Sequence, residues 1–358
     1  MSYVLAFLGF AVLIILHEAG HFVAAKAVGM RVERFSLFFG PMFVKRRRGE
    51  TEYGIGVIPL GGYVKITGMN PNEEIPPEVV SRAYYNQPVW KRVVTILAGP
   101  AVNILIAFAI VLGLLLSQGQ AGPPTKQVAG VVTKTPAASV LRPGDQLVSI
   151  DGVKGSPDAL RRQIESHHCA GTPVNGCLAA TPATIVVKRD GRLVSVSARP
   201  EYVASARRVE LGFDFGYRTV YPSVISAAST SVSKLWSVTT QTVSTVVQIF
   251  EPKDRSQVHG IVGGYTVTQE YFATSTTLAL EVLALISLSL GVINLFPFLP
   301  LDGGHVFWAL AEKVRGRRIP FSVMERAGVI GFALIILLFV IGLSNDISTL
   351  TGPGFGVR

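Results

Sequence analysis

Hydrophobic positions fall into four long runs separated by stretches of different rhythm. The runs extend from Tyr3 to about Val28, from Val93 to Leu116, from about Leu278 to Phe296 and from Ala327 to Leu343. The second and fourth contain no charged residue, and Glu281 lies near the start of the third. Each approaches the ~20 residues that a bilayer core demands, so four membrane helices are predicted. Between the first two runs the helical period is lost. Arg31 to Phe39 and Thr51 to Ile66 are rich in aromatic and β-branched residues, broken by Gly40-Pro41 and Arg48-Gly49, which predicts strands and turns. Tyr53 to Lys65 is apolar yet too interrupted by glycine and proline to span; non-helical backbone enters a membrane only where protein or water satisfies it. It is read either as a buried hairpin or as an edge to which an extended peptide adds as a strand. Pro71 to Trp90 reads as a polar interfacial stretch, with Trp90, Lys91 and Arg92 anchoring the second span.

From Val224 to Phe250 apolar residues recur at Val232, Leu235, Trp236, Val243, Val246, Val247 and Phe250, with Thr239 interrupting the stripe. Ser and Thr fill most other positions, which predicts an amphipathic helix rather than a fifth span. It is expected to lie at the outer membrane surface over an opening between the spans or to pack on the preceding island. That island, residues 121–200, shows short strands at Val128–Val132, Gln146–Ile150, Thr184–Lys188 and Leu193–Ala198, and a helix at Asp158–Glu165 after Ser156-Pro157. The run Pro136 to Asp145, followed by Ile150-Asp151-Gly152, resembles the core pattern of a PDZ domain, although no peptide-binding loop is obvious. The domains expected are thus a membrane region over 1–117, a PDZ domain over 121–200, an extracytoplasmic amphipathic segment over 201–272 and a second membrane region over 273–358.

Composition agrees with a membrane protein. Of 358 residues, 49% are hydrophobic and 16% charged, and the mean hydropathy is +0.43. The net charge of +10 raises the question of nucleic acid, but its distribution answers it. Lys45-Arg46-Arg47-Arg48, Arg31, Arg34, Lys65, Arg82, Lys91 and Arg92 lie between spans one and two, and Lys313, Arg315, Arg317 and Arg318 between spans three and four. These are alternate loops on one side, which the positive-inside rule makes cytoplasmic, so no nucleic-acid partner is expected. Both termini and residues 118–272 then face outward. The first run lacks a basic leader and a small-residue cleavage site, and reads as a retained span rather than a signal peptide. Cys169 and Cys177 fall in the outward segment, where a disulfide is favoured over two free thiols. His167 and His168 beside them read as residues of an exposed loop.

The chemistry begins inside the first span, at His17-Glu18-Ala19-Gly20-His21. Residues four apart share a helix face, so both imidazoles can address one metal ion, with Glu18 beside them to act on its water. Two histidines and a carboxylate in hydrocarbon are expensive and default to a functional reading. A catalytic zinc takes three protein ligands and keeps one position open. Asp302, in Asn294-Leu295-Phe296-Pro297-Phe298-Leu299-Pro300-Leu301-Asp302-Gly303-Gly304-His305 at the end of span three, is the natural third, with His305 ranked second. Spans one and three run in the same direction and bring these residues to the same cytoplasmic half.

Taken together, the His17–His21 motif, Ile58 to Lys65, Ala98-Gly99-Pro100 with Asn103, the PDZ-like island and Asn294–Gly304 resemble the site-2 protease family, in particular the bacterial group that includes the regulator-of-sigma-E protease. The resemblance covers nearly the whole chain. It departs in having one PDZ-like unit where some relatives have two, and in Leu299 standing where many have proline. It implies an α-helical polytopic membrane protein of four transmembrane helices, with a membrane-associated β-loop and an inserted extracytoplasmic α/β PDZ domain. It implies a zinc endopeptidase that cuts transmembrane segments of single-span proteins, such as anti-sigma factors already trimmed outside. His17, His21 and Asp302 would hold zinc, Glu18 would be the general base, and Asn294 would hydrogen-bond the substrate backbone or the developing oxyanion. The glycines of the β-loop, Gly54, Gly56, Gly61 and Gly62, are candidates for contact with the extended substrate. Two other classes compete: a membrane-anchored peptidase that cuts soluble loops, disfavoured by Asp302 at a span end, and a silent PDZ-bearing scaffold, disfavoured by Glu18.

Overall fold

The computed structural model describes residues 2–70, 73–248 and 261–351. In chain order the elements are α1 (Ser2–Ala27), β1 (Val32–Arg48), β2 (Thr51–Ile66), α2 (Val89–Gln118), β3 (Gln120–Val131), β4 (Gln146–Ile150), α3 (Pro157–Glu165), β5 (Ala183–Arg189), β6 (Arg192–Ala198), β7 (Glu201–Val203), β8 (Arg208–Glu210), β9 (Phe213–Val220), α4 (Val224–Gln248), α5 (Ile261–Thr274), α6 (Thr276–Asn294), α7 (Asp302–Arg315) and α8 (Phe321–Thr351). They form two units, residues 1–114 with 224–358, and residues 115–223.

In the first unit, α1, α2, α6 and α8 are long and apolar enough to cross a membrane. Only a minority of their side chains are buried by protein, as expected where lipid covers much of the surface. The predicted third span stops at Asn294 because Pro297 and Pro300 cannot continue it. Asp302 consequently opens α7 instead of closing α6. Gly303 and Gly304 are required there: a β-carbon on the first would collide with the Leu295 carbonyl, and one on the second would lie 2.5 Å from the Leu299 amide nitrogen. The fourth span runs past Leu343 to Thr351, and its Asp346 carboxylate is buried, accepting the Gly263 amide of α5 at 2.8 Å. That helix, α5, lies in a stretch read as part of the amphipathic segment. The amphipathic helix α4 sets Leu235 and Val238 against Ala284, Leu288 and Val292 of α6, and so belongs to this unit rather than to the island. Phe250 lies outside the described residues.

β1 is longer than predicted because it bends at Gly40 (φ 85°) and continues to Arg48, while β2 keeps the predicted Thr51–Ile66 and turns at Gly61 (φ 102°). Residues 34–37 consequently pair with 62–65 on one side and 52–55 on the other, while 44–48 pair with 51–55. The sheet lies along α1, with Phe22 packed on Phe35 and Tyr53 at centroid distances of 5.4 and 5.8 Å. Met30, Val32, Ile66 and Ile96 close the core between helix and sheet.

The second unit is a five-stranded sheet ordered β6-β5-β4-β3-β9, with a separate β7-β8 hairpin. Its core is Val128, Leu147, Ile150, Leu160, Ile185, Val187, Leu211 and Phe215. β9 joins the sheet through β3, so residues beyond the expected boundary at 200 belong to this unit. The Ser156 hydroxyl caps α3 by accepting the Ala159 amide. Asp145, 2% exposed, is gripped by both arms of Arg189 at 2.8 and 2.6 Å. Cys169 and Cys177 form a disulfide with Cα atoms 6.2 Å apart. His167, expected in an exposed loop, is buried, meeting Asp151 Oδ2 at 2.8 Å and Thr181 at 3.1 Å. It is an internal cross-link of the unit.

Candidate active site

Helical spacing stacks His17 and His21 on one buried face of α1. Two glycines let α2 approach that face. A β-carbon at Gly20 would lie 2.6 Å from the Ala98 carbonyl oxygen, and one at Gly99 would run into the His21 ring. The resulting contact lets His21 Nδ1 donate to the Thr95 carbonyl at 2.9 Å. A backbone carbonyl only accepts, so Nδ1 carries the proton and Nε2 keeps its lone pair. On the same helix, Asn103 is fully buried with its amide 3.3 Å from His17 Nδ1. Asn103 Oδ1 is buried without a partner. The two ends of an amide are nearly isosteric, so Oδ1 can take the Nδ1 proton and leave His17 Nε2 bare as well. Ser287 of α6 donates to the Asn103 carbonyl at 2.8 Å and ties this arrangement to the third apolar helix.

The third member comes from α7. Asp302 Oδ2 lies 3.3 Å from both His17 Nε2 and His21 Nε2, which are themselves 3.3 Å apart. Despite that proximity Oδ2 is buried with no hydrogen bond. Three metal-ligating atoms thus converge in a triangle with sides of 3.3 Å. Atoms at ~2.0–2.1 Å from a tetrahedral ion are about 3.3 Å apart, so this triangle fits zinc. Among the described residues His17, His21 and Asp302 are the one cluster of this kind. His305 stands outside it; it lines the same cleft, and burial pushes its imidazole below the ordinary value.

The cleft has a volume of about 490 Å³ and gathers Glu18, Asn294, Gly61, Gly62 and Tyr63 around the triangle. Gly62 passes close to Glu18, where an added β-carbon would lie 3.2 Å from the carboxylate's Cγ. Gly54 and Gly56 do not line the cleft. They sit within the sheet, where a β-carbon would strike Met42 and the Phe39 carbonyl respectively. A larger cavity, about 800 Å³, lies between α2, α4 and α6, but its wall is almost wholly apolar and holds no catalytic group. Thr95 and Asn103 support the histidines; the sequence singled out Asn103 without a role and did not single out Thr95. They lie 74 and 86 residues from the histidines they meet, and only the helix-approach glycines signalled the contact.

Residues 5–338 match the family described as Peptidase family M50. The chain is 30% identical over 362 residues to a Brucella suis protein provisionally named a zinc metalloprotease, covering 94% of this chain and 92% of that one. It is 28% identical over 395 residues to zinc metalloprotease Rip1 of Mycobacterium tuberculosis, covering 95% and 94%. The Mycobacterium bovis Rip1 is 29% identical over the same length and coverage.

Proposed function

The chain belongs to peptidase family M50, the site-2 protease family, and from that premise we propose that His17, His21 and Asp302 hold its zinc while Glu18 is the general base. The observation that carries this reading is the buried triangle of His17 Nε2, His21 Nε2 and Asp302 Oδ2, each 3.3 Å from the others, with Oδ2 left without a hydrogen bond. Bound there, zinc supplies a Lewis acid that polarises the scissile carbonyl and makes water acidic enough to deprotonate near neutral pH. Glu18, adjacent on α1, takes that proton and passes it to the leaving amine. Asn294 donates its side-chain amide to the substrate backbone or the developing oxyanion. Gly61 and Gly62 leave the inner edge of β2 open, so an extended substrate adds there as a strand. A helical peptide bond is shielded by its own hydrogen bonds, and strand addition holds it unwound. Gly54 and Gly56 act indirectly, by letting the sheet close on itself.

The substrate is the transmembrane segment of a single-span protein, of the anti-sigma-factor kind, cut after a first extracytoplasmic cleavage. Support for a membrane setting comes from the four apolar helices and the burial of the triangle among them. We read the N-terminus of α1 and the C-terminus of α8 as lying outside, on the charge distribution of the loops. In support, Tyr265 of α5 donates to the Tyr3 carbonyl at 3.1 Å, and Asp346 of α8 accepts from the same helix. At the opposite end Arg92 pairs with Glu312 at 2.7 Å, joining α2 and α7 beside the basic loops. Residues 115–223 are read as an outward PDZ unit that admits only trimmed substrates. Its α3 and edge strand β9 flank a cavity of about 280 Å³, with Leu211-Gly212-Phe213 at one wall.

The test compares wild type with Glu18→Gln on a single-span substrate bearing a short outer stub. Both proteins should carry zinc, and only wild type should cut, at a bond inside the span. Cleavage confined to a soluble loop would overturn the substrate assignment.

A further inference from the structure

The outer edge of the β1-β2 sheet has a feature that peptide hydrolysis does not use. Lys45, Arg46, Arg47 and Arg48 are consecutive, all exposed, and form no ion pair among the described residues. Their neighbours Phe43 and Val44 are 66% and 52% exposed. No strand pairs with the far side of residues 42–48 among the described residues.

The aromatic contacts with α1 give this edge a depth. Phe38 packs on Phe7 and Tyr53 on Phe22, so the sheet runs beside α1 for about 22 Å at 1.5 Å per residue. At the upper end Glu50 pairs with Lys26, in the last turn of α1, and with Arg82. Arg48 faces Thr51, Arg47 faces Glu52 and Arg46 faces Tyr53. The cations therefore stand level with the last turns of α1, at the headgroup zone of a spanning helix. Val44 and Phe43 follow at about 3.3 Å per residue, toward the acyl chains. Unpaired strand groups in hydrocarbon are costly unless a polar partner reaches them.

We propose that this edge is a binding site for anionic phospholipid, with Lys45–Arg48 on the headgroup phosphates and Phe43 and Val44 among the acyl chains. A lipid fits better than a soluble acidic partner because it covers the cations and the apolar pair together. The inference rests on α1 being a span and is independent of the peptidase chemistry.

The full chain would be placed in nanodiscs of equimolar phosphatidylglycerol and phosphatidylcholine, and retained lipids counted by native mass spectrometry. Wild type should retain phosphatidylglycerol preferentially, each cation contributing up to about fivefold. The variant K45Q/R46Q/R47Q/R48Q should lose at least about tenfold of that preference. The charge-matched variant R192Q/R199Q/R207Q/R218Q, altered at exposed sites of the other unit, should keep it. Should the first variant fail to fold, wild type alone decides, since ~1 M salt shortens the Debye length to about 3 Å and should abolish the preference. Equal preference in wild type and the K45Q set, equal loss in both variants, or a salt-insensitive preference would overturn the proposal.

Discussion

Replacing Gly99 by alanine is a sharp perturbation of the active site, because it adds one methyl group and removes no functional atom. The new β-carbon would lie 2.5 Å from His21 Cε1 and 2.8 Å from Cδ2, and closer still to Nε2. Carbon contacts are comfortable from ~3.5 Å, so ring or helix must yield by about 1 Å. The ring cannot swing freely, since Nδ1 is held by the Thr95 carbonyl at 2.9 Å. The helices cannot part without opening the Gly20–Ala98 contact. Disturbing the orientation of a zinc-ligating histidine typically costs 10–100-fold in metal affinity. A misplacement of about 1 Å costs roughly 100-fold in rate. Gly99→Ala should therefore lower zinc affinity by about 10–100-fold, or ~1.4–2.8 kcal/mol, and kcat/KM by roughly 100-fold. Chelator competition reads the first and cleavage of a single-span substrate the second. Gly113→Ala on the same helix is the control, because nothing lies within 4 Å of its added β-carbon. If both variants bind zinc and cut like wild type, the close crossing of α1 and α2 does not position His21.

Asn103→Leu should reduce zinc affinity about 10–100-fold by removing the acceptor beside His17, and Asn103→Asp should restore most of it; chelator competition again decides. In the second unit the Arg189 guanidinium holds the Asp145 carboxyl below its ordinary range. With the folded pKa depressed, this contribution to stability is complete above the unfolded value of ~3.9 and is lost as pH falls through the folded value. Exchange of the β4–β5 amides should accelerate below about pH 4 in wild type, and Arg189→Gln should be faster at neutral pH with less further acid response. Joint replacement of Cys169 and Cys177 by serine should destabilise residues 115–223 by up to about 2–3 kcal/mol, as expected for a short closed loop. Chemical denaturation followed within that unit would measure it, and zinc binding should be unchanged.

The parts of this molecule legible in sequence are those encoded locally. Four apolar runs became four long apolar helices, and the spacing of His17 and His21 carried over because helical periodicity is short-range. Asp302 was picked out by composition, but its position at the head of α7 depends on a chain reversal that Gly303 and Gly304 make sterically possible. What stayed hidden depends on distant partners. Thr95 looks like an ordinary polar residue of an apolar helix, and Asn103, though part of the Ala98-Gly99-Pro100 motif, shows its role only once α1 crosses them. β9 alternates Phe213, Phe215 and Tyr217 with Asp214, Gly216 and Arg218, a local strand signal, but its pairing with β3 joins residues far apart in sequence. The bends of β1 and β2 were signalled by Gly40 and Gly61, yet only pairing shows that the sheet folds back and separates Gly61 and Gly62 from Gly54 and Gly56. The glycine pair Gly263-Gly264 argues locally against the helix α5, which nevertheless forms where Asp346 accepts the Gly263 amide.

Zinc K-edge X-ray absorption on the purified full chain, for wild type and Asp302→Asn, tests the central assignment most directly. Wild type should hold one zinc per chain with two imidazole nitrogens and carboxylate oxygen, and the variant should show a depleted or altered oxygen shell. An unchanged spectrum in Asp302→Asn, or a third imidazole from His305, would contradict it.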